Sequence, residues 1–251
     1  NLLLKNTGPA LFMIGLGPQK SLQGAQAARS ASLLPAILGY HRGFHYSNGS
    51  GRNIDWDYIN GACLTAKKGK QVNQVSIGKR LEKGEFKFIF VLGTNPAATL
   101  PDQSAVRQGL KRKDVFVVVQ DTHWSQTALL ADVVLPAPTY LEKTDIVFSD
   151  HHSYSRLSQQ AIEPLKESKH EIWVMQKLAE KIKKTDGWLF EDPWLALDIA
   201  LKHTYKKGQV KDILEGKVLE IASKPTDKYQ TPSGKIEFNS STANDISVTG
   251  L

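Results

Sequence analysis

Short apolar runs alternate with helix-length segments along most of the chain. The first run covers residues 10–14 and is closed by Gly15-Leu16-Gly17-Pro18. The second, 86–92, stops at Gly93-Thr94-Asn95-Pro96, and the third, 114–119, stops at Gln120-Asp121. A fourth and shorter run covers 131–136. The third run is continuous in β-branched residues and does not alternate, the pattern of a strand buried on both faces of a parallel sheet.

The intervening segments carry helical spacing. Ala27, Ala31, Leu34 and Leu38 predict a helix that Pro35 kinks or interrupts and Gly39 ends. Further helices are predicted over 75–83, 102–112, 121–130 and 168–184. The last has Ser168 and Glu171 as a capping box and Ile172, Met175, Ala179 and Ile182 as its apolar stripe. Strands alternating with helices predict a doubly wound α/β unit. Beyond Gly187 the pattern loosens. Asp192-Pro193-Trp194 starts a helix towards His203, residues 206–229 are polar and mixed, and a turn at 231–234 precedes a short strand over 235–238. The expected division is a lobe over 1–186 and an extension over 187–251.

Composition narrows this picture. A chain of 251 residues buries enough surface to fold without staples. One Cys excludes a disulfide framework, a Cys-ligated zinc site and a four-Cys iron–sulfur cluster within the chain. Cys63 itself, in a small-residue segment, is expected to be a buried thiol. No apolar run approaches the ~20 residues of a membrane-crossing helix. The chain starts on Asn1 with no leader-like segment and reads as a piece of something longer, or a processed or truncated product; its compartment is left open between cytoplasmic and membrane-associated through partners.

The net charge is +7, and its lysines fall in small groups, 67–70, 111–113, 181–184 and 206–207. Two groups lie at predicted helix ends, where cations complement the macrodipole. There is no single basic stripe with interleaved aromatics, so nucleic acid is not the expected partner. His151 and His152 are adjacent and read as surface residues, and nothing marks Glu142 and Asp145 as an acid/base pair.

In an open parallel sheet, ligands bind beyond the carboxyl ends of the strands. Three turns are candidates. Gly15 and Gly17 let the backbone approach a ligand, or form an ordinary strand-to-helix turn. Asn95 either bonds a base or ribose or shapes the turn before Pro96. Asp121 either accepts the N1–H and amino group of a guanine or caps a helix. Together the three turns favour a nucleotide-like ligand.

Several stretches resemble the molybdopterin oxidoreductases of the dimethyl-sulfoxide-reductase and formate-dehydrogenase group. They are residues 93–102, Val118-Val119-Gln120-Asp121, residues 127–137, and Leu141-Glu142-Lys143. The turn Gly15-Leu16-Gly17-Pro18-Gln19 with Gly24, the segment 34–39, and Thr231-Pro232-Ser233-Gly234-Lys235-Ile236-Glu237-Phe238 are similar to further segments of that family. The resemblance implies a three-layer, Rossmann-like lobe of a longer subunit, holding one molybdopterin guanine dinucleotide. The molybdenum or tungsten would be held by residues outside this chain. It places Gln19 and the Gly17 backbone near the pterin or pyrophosphate, Asn95, Gln120 and Asp121 around the guanosine, and Lys143 as a nearby charge. Implied partners are the remaining domains or a complementary chain, and an iron–sulfur electron-transfer subunit. The family's cluster cysteines and metal ligand have no counterpart here, so the isolated chain is expected not to turn over substrate. The form of the first turn leans towards the polysulfide/thiosulfate-reductase-like branch. The alternative is a stand-alone, non-catalytic module that binds a nucleotide or cofactor.

Overall fold

The computed structural model describes residues 5, 10–21, 23–40, 43–46, 52–64, 69–222, 229 and 231–239. The opening residues 2–4, Lys67, Lys68, the side chain of Gln19 and the last dozen residues lie outside that description. The chain forms two compact units, one made of 1–48, 74–76 and 224–251, the other of 49–73 and 77–223. Residues on both sides of the expected 186/187 division belong to the second unit.

In the first unit, β1 (Phe12–Ile14) pairs in parallel with β2 (Phe44–Tyr46). Between them a 3-10 turn (Gly17–Lys20) leads into α1 (Gly24–Ile37). α1 continues past Pro35 to Ile37, so Pro35 does not interrupt it, and Gly39 follows at φ +70°. The strand expected over 235–238 is not formed. The segment is irregular and follows the expected turn, which is closed by Gly234 N–H on the Thr231 carbonyl, with the Glu237 carboxylate folded back on Ser233.

The second unit holds two sheets. β3 (Phe88–Leu92), β4 (Phe116–Asp121) and β5 (Val133–Pro136) lie in the order β3-β4-β5, all parallel. Parallel neighbours need crossovers. That from β3 to β4 runs through α4 (Pro96–Thr99) and α5 (Gln103–Leu110), while α2 (Trp56–Ile59) and α3 (Ile77–Glu82) precede the sheet. Alternation along the strands sends Ile89, Val91, Val117, Val119 and Val134 into one core with Leu81 of α3 and Val106 and Leu110 of α5. Asp102 caps α5, within the helix expected over 102–112, with its carboxylate accepting from Ala105 N–H. The other face is covered unevenly. Val118 and Gln120 are buried, but Phe88 and Phe116 stack on each other half-exposed. An apolar run thus marks a strand correctly without guaranteeing two buried faces.

The second sheet is antiparallel and departs from the expected pattern: β6 (Asp145–Phe148), β7 (Tyr154–Ser158) and β8 (Leu219–Glu220). Ile146, Phe148, Leu157 and Leu219 pack with Leu201, Tyr205, Val210 and Ile213. Two of these come from α8 (Val210–Leu214), whose Gln209/Asp212 capping box lies in the stretch that reads only as polar and mixed. Preceding it are α6 (Glu171–Lys181) and α7 (Pro193–Ala200), the latter capped by Asp192 as expected.

Four further expectations are corrected. No α-helix spans 121–130: β4 extends through Asp121, and only a 3-10 turn (Ala128–Leu130) comes after it. The capping box at Ser168 does not form, because α6 starts after His170, whose ring accepts from Ile172 N–H while Ser168 turns inward. The α6 stripe also differs: Val174 and Ala179 are buried, whereas Ile172, Met175 and Ile182 are exposed. Finally, Cys63 is exposed, because the turn after α2 carries it out of both cores.

Candidate cofactor-binding site

The carboxyl ends of β3, β4 and β5 lie side by side, with Leu92 opposite Gln120 and Asp121 opposite Pro136. Each strand runs into a hydrogen-bonded turn. After β3, Gly93 takes φ +59°, a conformation costly for any residue with a Cβ, and its N–H donates to the Gln120 carbonyl. Asn95 then reaches across to the turn after β4. Its amide oxygen accepts from Thr127 Oγ1 (2.7 Å) and Thr127 N–H (3.2 Å), and its Nδ2 donates to Gln126 Oε1 (2.8 Å). Thr127 is fully buried, and its hydroxyl also accepts from Ala97 N–H at 3.0 Å. That N–H belongs to the first turn of α4, where a helix lacks internal partners. Asn95 therefore joins two turns and does not cap α4 with its side chain.

Asp121 ends β4. One carboxylate oxygen accepts from Thr122 N–H and the other from Ser125 Oγ, both at 2.7 Å. A carboxylate has about four acceptor positions, so each oxygen keeps capacity for a further donor. The turn after β5 is fastened to this end by Ala137 N–H on the Asp121 carbonyl.

Gln120 faces inward. Its Nε2 donates to the Lys169 carbonyl at 2.8 Å, and Lys169 N–H donates to the Pro136 carbonyl. These two bonds bring the segment before α6 onto the sheet edge. Gln120 Oε1 and Ser168 Oγ are buried there with no partner. Lys143, on the loop after β5, lies 3.3 Å from Glu171 at the start of α6. Burial acts to raise the Glu171 carboxyl, but its own backbone N–H, the Lys143 ammonium and His170 outweigh that and hold it below the ordinary glutamate range. Beside Lys143, buried Glu142 accepts from Thr139 N–H and Leu165 N–H, both at 2.7 Å, and these bonds lower its carboxyl.

Asn95, Gln120 and Asp121 thus lie at the carboxyl end of one sheet in the second unit, and Lys143 pairs with Glu171, two residues after the Lys169 that Gln120 bonds. Gly15 and Gly17 lie in the first unit, in the turn after β1, each with open space where a Cβ would project. Sequence reasoning missed Thr127, Ser125 and Glu171. Only the partnership of Asn95 with Thr127, 32 residues apart, reveals the role of the former.

The profile of the molybdopterin oxidoreductase family matches residues 3–181. The chain belongs to the molybdopterin oxidoreductase family. It is 33% identical over 261 residues to the probable oxidoreductase YoaE of Bacillus subtilis (strain 168), covering 93% of this chain and 36% of that protein. It is 41% identical over 96 residues to the F420-dependent formate dehydrogenase subunit alpha of Methanocaldococcus jannaschii, covering 38% of this chain and 14% of that one. The chain therefore spans about a third of the first relative's length and less of the second's. Acetylene hydratase from Pelobacter acetylenicus shares the fold, with a TM-score of 0.55 at 24% identity over 69% of this chain and 25% of that chain.

Membership of this family implies a pterin cofactor with molybdenum or tungsten. The sheet edge fits part of such a group. It offers spare acceptor positions on Asp121, an unpartnered buried acceptor on Gln120, and open space above Gly93. Among the described residues, no helix is long and apolar enough to cross a membrane.

Proposed function

We propose that this chain is the cofactor-holding part of a longer molybdopterin oxidoreductase subunit and binds the guanosine end of a molybdopterin guanine dinucleotide. The observation that carries the reading is the locked Asp121 carboxylate at the carboxyl end of a parallel sheet. Its two oxygens match the adjacent N1–H and amino donors of guanine. Asn95, through Thr127, fixes the turn that presents Asp121; Gln120 anchors the strand end; Lys143, tempered by Glu171, supplies positive charge on the anionic side. The turn at Gly15 and Gly17, with Gln19, is assigned to the pyrophosphate or pterin. When bound, the metal-carrying pterin supplies two-electron redox chemistry. This chain's residues bind and orient its nucleotide tail. Relatives named formate dehydrogenase, nitrate reductase and trimethylamine-N-oxide reductase suggest a small substrate oxidised or reduced by two electrons. A partner domain or chain would provide the metal ligand, and an iron–sulfur subunit the electron path.

Calorimetry with GMP, GDP and the intact dinucleotide tests this reading. Asp121→Asn keeps an acceptor for Thr122 N–H but cannot accept both guanine donors. Binding should weaken by ~1–3 kcal/mol, the cost of an unpaired buried donor. Unchanged affinity in Asp121→Asn would remove Asp121 from the site, and no binding by the wild type would overturn the reading as a whole.

A further inference from the structure

We infer that Trp124 is the stacking platform for the face of the bound guanine, an assignment that rests on the guanosine reading above. A base held edge-on by a carboxylate still exposes both π faces, and an aromatic ring is the side chain that covers one. Trp124 lies three residues after Asp121 and is 73% exposed. Its indole makes no hydrogen bond and no ring contact among the described residues.

That exposure does not come from a loose loop. On one side, Thr122 N–H is held by Asp121, and Thr122 Oγ1 bonds His123 Nδ1 at 2.7 Å. On the other, Ser125 N–H donates to the His123 carbonyl while its hydroxyl donates to Asp121, and Gln126 and Thr127 are tied to Asn95. The residues on both sides of Trp124 are thus fixed by hydrogen bonds, two of them to the carboxylate assigned to the guanine edge. With the backbone on both sides fixed, only the two side-chain torsions of Trp124 are left to be ordered when a base stacks on it, which keeps the entropic cost of stacking small. One turn thereby supplies recognition of both edge and face.

The experiment uses the full chain with GDP as probe. Trp124→Ala should weaken GDP binding about tenfold, and Trp124→Phe should stay within about threefold, because a smaller ring still stacks. GDP should quench part of the tryptophan emission of the wild type and of Trp188→Phe, but none in Trp124→Phe. If Trp124→Ala binds GDP within about twofold of wild type while Asp121→Asn is impaired, the platform assignment is wrong and the guanosine reading stands. If the wild type binds no GDP, both fall. Should Trp124→Ala lose its far-ultraviolet signal, the emission of Trp124→Phe decides alone: quenching equal to wild type rejects the platform.

Discussion

Thr127→Val tests whether the tie between the turns after β3 and β4 holds the sheet edge together. The substitution keeps the shape and removes the hydroxyl. That hydroxyl donates to Asn95 Oδ1 and accepts from Ala97 N–H. Asn95 Oδ1 retains Thr127 N–H, so its loss is partial. Ala97 N–H fares worse, because Ala97 is fully buried at the start of α4 and no internal helix bond replaces the lost one. One hydrogen bond is worth ~0.5–1.5 kcal/mol net, and a buried unsatisfied donor costs ~1–3 kcal/mol. The expected loss is ~2–4 kcal/mol in all. Urea unfolding followed by tryptophan emission measures it cleanly, because all five tryptophans lie in the second unit. The midpoint should fall with the slope unchanged. Thr127→Ser, which keeps the hydroxyl, should lose only about 1 kcal/mol for the methyl group. If Thr127→Val is no less stable than Thr127→Ser, the hydrogen-bonded tie contributes nothing and the reasoning fails.

Other expectations concern packing, pH and reactivity. A Cβ on Gly109 would lie 2.5 Å from Leu81 Cβ and 2.6 Å from its backbone carbon, so Gly109→Ala should push α3 from α5 and cost ~1–3 kcal/mol in the same unfolding assay. Glu142 has its carboxyl lowered by Thr139 and Leu165 backbone N–H groups. Its stabilising contribution is present above the unfolded glutamate range and fades as pH falls through the lower folded value. Stability of Glu142→Gln should therefore fall less steeply than that of the wild type as the pH drops from about 5 to about 3, and parallel slopes there would contradict this. Exposed Cys63 should react with a soluble thiol reagent in the folded chain nearly as fast as in urea, whereas a rate rising only on unfolding would place the thiol in a core.

Much of the architecture is legible in the residues themselves. Strands β1, β3, β4 and β5 and helices α3, α5 and α7 fall where apolar runs, capping aspartates and turn residues put them, because those signals are local. The family resemblance, carried by contiguous motifs, is equally local, and the family profile agrees with it. Local signals also mislead. Asp121 has the look of a helix cap because an aspartate before polar residues suits that role, yet register with Val133–Pro136 keeps it in a strand. Ser168 and Glu171 have capping-box spacing, yet the Gln120–Lys169 and Lys169–Pro136 bonds fix the backbone so that the helix starts later. The antiparallel sheet leaves no clear local mark, because β6 and β7 are short and draw on residues some 60 positions downstream for β8.

The amino-acid sequence by itself determined the alternation of strands and helices, the three turns, and the chemistry available in them. Only the tertiary structure decided how that chemistry is deployed. Asn95 spends its amide on Thr127, Gln120 points inward to Lys169, Lys143 is balanced by Glu171, and Asp121 is braced by its own turn. The physical reason is that a hydrogen bond depends on distance in space and not along the chain. A side chain's role is set by partners that pairing and packing bring within about 3 Å.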